Sequence, residues 1–190
     1  MNAAELFTRS TDGYDSLVRA IGDDQWTNPT PATEWDVRTL VNHIVSEDLW
    51  APPLLRGSTI HEVGDRFEED VLGDDPKGAW SRAKDDAVAA ANEPGVLERT
   101  THLSFGDVPG SEYLMQLFAD HLIHGWDLAR AIEGDDRLDP ELVSACRTWF
   151  LHREDLYRGG GAIAERPEIS VDADEQTELL AMFGRKADGG

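Results

Sequence analysis

The chain has 190 residues, 40% of them hydrophobic and six of them tryptophan, which is enough for one well-packed domain and hardly enough for two. A net charge of −21 argues against nucleic acid or an anionic membrane as partner, because both would be repelled. The single cysteine, Cys146, excludes an internal disulfide and any cysteine-rich zinc site.

The N-terminal stretch carries Glu5 and no long apolar core, so no signal peptide is expected. No stretch approaches membrane-spanning length, and a cytoplasmic location follows. The first helix is predicted from about Asn2 to Ile21, with Leu6, Phe7, Tyr14, Leu17, Val18 and Ile21 as its apolar face. Asn28-Pro29-Thr30-Pro31 breaks the chain, since each proline disfavours helix in the residue before it. A second helix begins after the N-cap Asp36 and carries the stripe Val37, Leu40, Val41, Ile44, Val45 and Leu49. Pro52-Pro53 is expected to end or kink it. The next helix runs from Pro76 to about Asn92, with Trp80, Ala83, Ala87 and Ala91 at helical spacing. Glu98 to Phe105 alternates weakly and suggests an extended segment. Gly106 to Gly110 reads as a loop into the following helix.

That helix ends at Gly134. Asp139-Pro140-Glu141 opens another with N-cap, proline and acidic first turn in order, extending to about Tyr157. Cys146 lies in its amphipathic run and reads as core. Gly159-Gly160-Gly161 opens an irregular connection through Pro167, and a short last helix spans Glu175 to Phe183, capped by Gly184. The expectation is an all-α fold: one domain over 1–190, a bundle of four main helices with additional short ones and a short C-terminal extension. Long apolar helices leave a further face that a homodimer would cover.

The segment Asp120-His121-Leu122-Ile123-His124-Gly125-Trp126-Asp127 carries the chemistry. It places four ionisable side chains in a helix that is otherwise almost wholly apolar. At about 100° per residue, Asp120, His124 and Asp127 fall within roughly 60° of one another. Met115, Leu122 and Trp126 cover the opposite side, and a narrow stripe at Glu112, Ala119 and Arg130 reads as wet. Buried carboxylates and imidazoles are costly unless they are paired, hydrogen-bonded or metal-bound. Asp120 and His124 are therefore candidate metal ligands, the alternative being a satisfied core pair. An Asp-x-x-x-His pair is less specific than His-Glu-x-x-His, which has a second histidine and a built-in base. His121 is the reserve ligand.

In a helical bundle a metal draws ligands from facing helices. The second helix offers His43, roughly 120° from the centre of its apolar stripe, with Glu47 one turn on. That flank suits a side chain aimed at a neighbouring helix better than a plain core residue. His61, His102 and His152 stand in loop-like, extended or charged surroundings and read as surface groups.

Thr30-Pro31-Ala32-Thr33-Glu34-Trp35-Asp36-Val37-Arg38-Thr39-Leu40-Val41-Asn42-His43 resembles the entry to the second helix of the mycothiol-dependent maleylpyruvate isomerase N-terminal domain, within the DinB-like superfamily. Asp120 to Ala131, with His124-Gly125-Trp126-Asp127-Leu128-Ala129-Arg130, resembles its metal-bearing helix. Leu179 to Arg185 resembles the ending of a single-domain actinobacterial branch. The resemblance spans nearly the whole chain. It implies a DinB-like four-helix bundle holding a divalent metal, commonly zinc, through one residue of the second helix and two of a later one. Carried onto this chain, those ligands are His43, Asp120 and His124. The isomerase is similar but has Glu where Asp120 stands here, and relatives often show Cys in place of Ala32. It also has an additional C-terminal domain that helps form its active site, for which too few residues remain after Gly161. The resemblance alone places Trp35 beside the pocket mouth.

Three protein ligands leave an open coordination position, the mark of a catalytic zinc site. In the resembling family a low-molecular-weight thiol such as mycothiol takes that position and becomes a thiolate. Asp127 then orients His124 from behind, or else caps a structural hydrogen-bond network. Two function classes follow. One is a metal-dependent enzyme joining a small thiol to a small-molecule electrophile, as an S-transferase or with isomerase-like activity. The other is a noncatalytic metal-binding or regulatory bundle, for which zinc-dependent anti-sigma factors are a model, although their cysteine ligands are missing here.

Overall fold

A computed structural model describes residues 1–32 and 34–187; Thr33, within the motif before the second helix, lies outside the described residues. The chain divides into two compact units, Met1–Gly134 and Asp135–Gly190. The first holds helices α1 (Ala3–Ala20), α2 (Val37–Leu55), α3 (Ile60–Val63), α4 (Pro76–Ala91) and α5 (Gly110–Ala131), with strands β1 (Thr100–Leu103) and β2 (Gly106–Pro109). The second holds α6 (Pro140–Phe150), α7 (Glu154–Gly159) and α8 (Glu175–Met182). The fold is all-α in character and DinB-like, with one small hairpin.

In the first unit α1, α2, α4 and α5 form the four-helix bundle: α5 packs against both α1 and α2, and α4 closes the ring between those two. Local chemistry fixes the ends of these helices. Asn2 and Glu5 form a reciprocal capping box on α1. Asp36 accepts the Thr39 N–H at 2.8 Å to open α2, and Asp75 accepts the Gly78 N–H at 3.0 Å to open α4, where Pro76 needs no partner of its own. The core between the helices includes Tyr14, Val18, Leu40, Val41, Ile44, Trp80, Ala83 and Leu128.

Pro52 and Pro53 lie in the last turn of α2, which ends two residues later at Leu55, in line with the expected end of the helix. Several sequence expectations change. Gly106–Pro109 is a strand rather than a loop. It pairs antiparallel with β1, Leu103 opposite Gly106, around the two-residue turn Ser104-Phe105. Ala119, placed on the wet stripe by its spacing, is buried, whereas Arg130 is exposed. α5 starts on Gly110, whose N–H donates to the Arg99 carbonyl at 2.8 Å. A Cβ there would overlap the Val96 carbonyl oxygen, so only glycine fits.

In the second unit α6 and α8 pack together, with Phe150 stacked on Phe183 at 4.0 Å and Arg147 paired to Glu178 at 2.7 Å. The helix expected to reach Tyr157 stops at Phe150. The Arg153 backbone N–H turns back to the Phe150 carbonyl and its guanidinium takes the Trp149 carbonyl at 2.7 Å, satisfying groups that a continuing helix would have used. Cys146 is fully buried.

Candidate metal centre

The walls of the site are α2 and α5. His43, on the second turn of α2, faces α5, and its Nε2 lies 3.7 Å from an Asp120 carboxylate oxygen. The imidazoles of His43 and His124 meet edge to face with centroids 5.2 Å apart. One donor atom from each of His43, Asp120 and His124 lies within 4.8 Å of the other two, a group able to hold a metal ion. A four-coordinate cation with bonds of about 2.1 Å holds its donors roughly 3.4 Å apart. Small side-chain rotations, shared among the three residues, close that gap. The donor set of two imidazoles and one carboxylate suits a borderline divalent cation.

The surroundings orient these donors. Asp127, fully buried, lies 3.0 Å from His124 Nδ1. With the carboxylate accepting the Nδ1–H hydrogen bond, the Nε2 lone pair is free to bind metal. Trp35 stacks on His124 at 5.6 Å and an interplanar angle of 27°, and lies 5.0 Å from His43, so one indole covers both rings. It is carried there by a tight turn in which the Thr30 N–H and hydroxyl both donate to the Trp35 carbonyl and the Trp35 N–H donates to the Ala32 carbonyl, with Glu34 at φ 72°. The site keeps a solvent side: the Asp120 side chain is 39% exposed and that of His43 29%.

The charges around the cluster shift the protonation of its members. Burial pushes the His43 imidazole down, but the hydrogen bond and negative charge of Asp120, helped by Glu47, outweigh it and hold its pKa above the usual value. Burial likewise pushes Asp120 up, and the His43 bond and charge overcome it, leaving the carboxyl below its usual range. Glu47, one turn beyond His43, is pushed up to about 7 by burial first and the Asp120 charge second.

His121, the reserve ligand, is committed elsewhere. Its Nδ1 lies 2.7 Å from the Leu117 carbonyl oxygen, and its Nε2 lies 3.3 and 3.4 Å from the two oxygens of Asp48. Neither nitrogen is available to the cluster. Both partners are acceptors, so the pair holds a proton on each ring nitrogen or one on Asp48. Burial lowers the His121 pKa, and the Asp48 charge and bond more than offset this, so it is raised overall. Asp48 was not singled out from the sequence. Its signal was there: it stands four residues after Ile44 and three after Val45, where the apolar stripe of α2 continues. His61 lies in α3, His102 in β1 beside Asp107 at 2.7 Å, and His152 in the turn after α6 of the second unit; none of the three is a member of the cluster.

Two curated proteins of Mycobacterium tuberculosis, from different strains and both described as uncharacterized, are each 30% identical over 186 residues, covering 93% of this chain and 94% of their own length. No solved structure gives a significant match. Residues 7–129, which include α2, all but the last two residues of α5 and all three clustered donors, match the family described as mycothiol maleylpyruvate isomerase N-terminal domain, and the chain belongs to that family.

Proposed function

We propose that the protein is a metal-dependent enzyme that uses a low-molecular-weight thiol of the mycothiol type to modify a small electrophile, by S-transfer or by isomerase-like addition and elimination. The observation that carries this reading is the gathering of His43, Asp120 and His124 at a partly exposed point between α2 and α5. A divalent cation such as zinc, when bound there, supplies Lewis acidity that makes a thiol ionise at neutral pH. His43 and His124 would hold it through ring nitrogens and Asp120 through a carboxylate oxygen. Asp127 keeps His124 in the ligating tautomer. Trp35 covers the imidazoles and limits water on that side, while the exposed edge of Asp120 and His43 lets small molecules enter. The thiol proton passes to solvent along that edge. The thiolate lone pair would form a bond to carbon; in a transfer the leaving group departs with its electron pair, and in an isomerisation the C=C π pair moves onto the conjugated acceptor, the resulting single bond rotates, and return of the pair re-forms C=C and expels the thiolate.

The exposure of the donors favours this reading over a closed, noncatalytic metal site, which would exclude an exogenous ligand. The test is turnover of electrophilic substrates by zinc-loaded protein with and without mycothiol. Turnover that requires the thiol, and that survives Cys146→Ser, supports the reading. Equal turnover without thiol points to hydrolysis by metal-activated water, and zinc-loaded protein that binds no thiol contradicts the proposal.

A further inference from the structure

The cluster depends on two helices keeping one relative placement, since α2 contributes His43 and α5 contributes Asp120 and His124. Metal donors must be held to within about 0.5 Å to bind well. Apolar packing alone tolerates small slides of one helix along another. A directional contact between the same two helices would remove that freedom, and one is present beneath the cluster.

Asp48 lies five residues after His43, roughly 7.5 Å further along α2. His121 is the immediate neighbour of Asp120 and stands three residues before His124. Their side chains are completely buried, with the imidazole Nε2 3.3 Å from the carboxylate. The ring is fixed from its other end by the Leu117 carbonyl at 2.7 Å, so it cannot turn without losing that bond. All four bundle helices meet on this imidazole: Phe7 and Tyr14 of α1 lie 5.2 and 5.7 Å away, Trp80 of α4 lies 6.0 Å away, Asp48 comes from α2, and the ring itself from α5.

Burying such a pair is a poor way to gain stability, because desolvation consumes most of the attraction and well-packed apolar residues serve as well. Its best-attested use is to fix register. We propose that Asp48 and His121 are positioning residues that lock α2 against α5 at the setting in which His43 reaches Asp120 and His124. This rests on the metal-centre reading above and adds to it residues that do not touch the metal.

The test uses cobalt(II) as a spectroscopic probe on the full chain. Three forms are compared: wild type, Asp48→Asn, and the double variant Asp48→Leu/His121→Leu. Asn can donate its amide N–H to Nε2 while Nδ1–H keeps the Leu117 carbonyl, so it preserves the contact without charge. The double variant removes both polar groups together and should keep the fold. Should it not fold, Asp48→Ala takes its place, since His121 can shed its proton and retain Leu117. The expected result is wild-type cobalt affinity and visible spectrum in Asp48→Asn. The contact-less variant should retain wild-type helicity but bind cobalt at least about tenfold more weakly, in the range found when outer-shell partners are removed, with an altered spectrum. Unchanged affinity and spectrum in the contact-less variant would overturn the proposal, as would equal losses in it and Asp48→Asn. Wild type that binds no cobalt would instead defeat the metal-centre reading, and the positioning role with it.

Discussion

A histidine ligand is only as good as the group behind it, and here that group is Asp127. Its carboxylate sits 3.0 Å from His124 Nδ1 in a fully buried position. Asp127→Asn can present its amide N–H instead of an oxygen, which favours the opposite tautomer and blocks Nε2. The expected result is a fall of about 10–100-fold in zinc affinity, measured by competition with a chromophoric chelator, with far-UV circular dichroism unchanged. Unaltered affinity would make Asp127 a structural residue only. Much of this constellation was legible because helical spacing puts Asp120, His124 and Asp127 on one face. The occupation of His121 was not, because it depends on a residue 73 positions away. Nor was the raised pKa of Glu47, which arises from burial and from charges on a second helix.

At the scale of the element, α5 is held at its start by a close approach rather than by a side-chain cap. Pro109 offers no capping oxygen, and Gly110 instead lies against the Val96 carbonyl. Gly110→Ala must push that segment away, so it should cost about 1–3 kcal/mol, read as a lower urea midpoint with an unchanged m-value. No loss of stability would show that the Val96 segment yields freely. The long helices were readable from caps and periodicity, as at Asp36 and Asp139, whereas the Asp75 cap of α4 emerged only from the structure. The hairpin was half visible. Its first strand alternates, but the turn Ser104-Phe105 lacks the Asn-Gly type of signal, and Pro109 argued for a loop. The end of α6 depends on the Arg153 side chain reaching back to the Trp149 carbonyl, which no spacing rule anticipates.

For the whole molecule, protons and a cation compete for one cluster. In the metal-free protein, His43 and Glu47 both hold their protons more tightly than the ordinary 6.5 and 4.5. For each group the sign is the same: the stability it contributes is complete below its ordinary value and is lost as pH rises through the raised one. Asp120 runs the other way, contributing above its ordinary 3.8 and losing that contribution as pH falls. Between about pH 5 and 8 the metal-free protein should therefore lose stability through His43 and Glu47, while a bound cation displaces those protons and restores it. The zinc-induced rise in Tm should be larger at pH 8 than at pH 6. Titration calorimetry in buffers of different ionisation enthalpy should show proton release on binding. A Tm shift independent of pH, with no proton release, would mean that the cation binds away from His43. No helix among the described residues is long and apolar enough to cross a membrane.

The central claim is that His43, Asp120 and His124 share one divalent cation. Equilibrium dialysis against zinc, followed by elemental analysis, tests it most directly on wild type and on His43→Ala, Asp120→Ala and His124→Ala. Ala is a good helix former, so the helices should persist in each variant. The account predicts one tightly held zinc per wild-type chain, lost or sharply reduced in all three variants. Wild type without zinc, or variants that retain it in full, would contradict it.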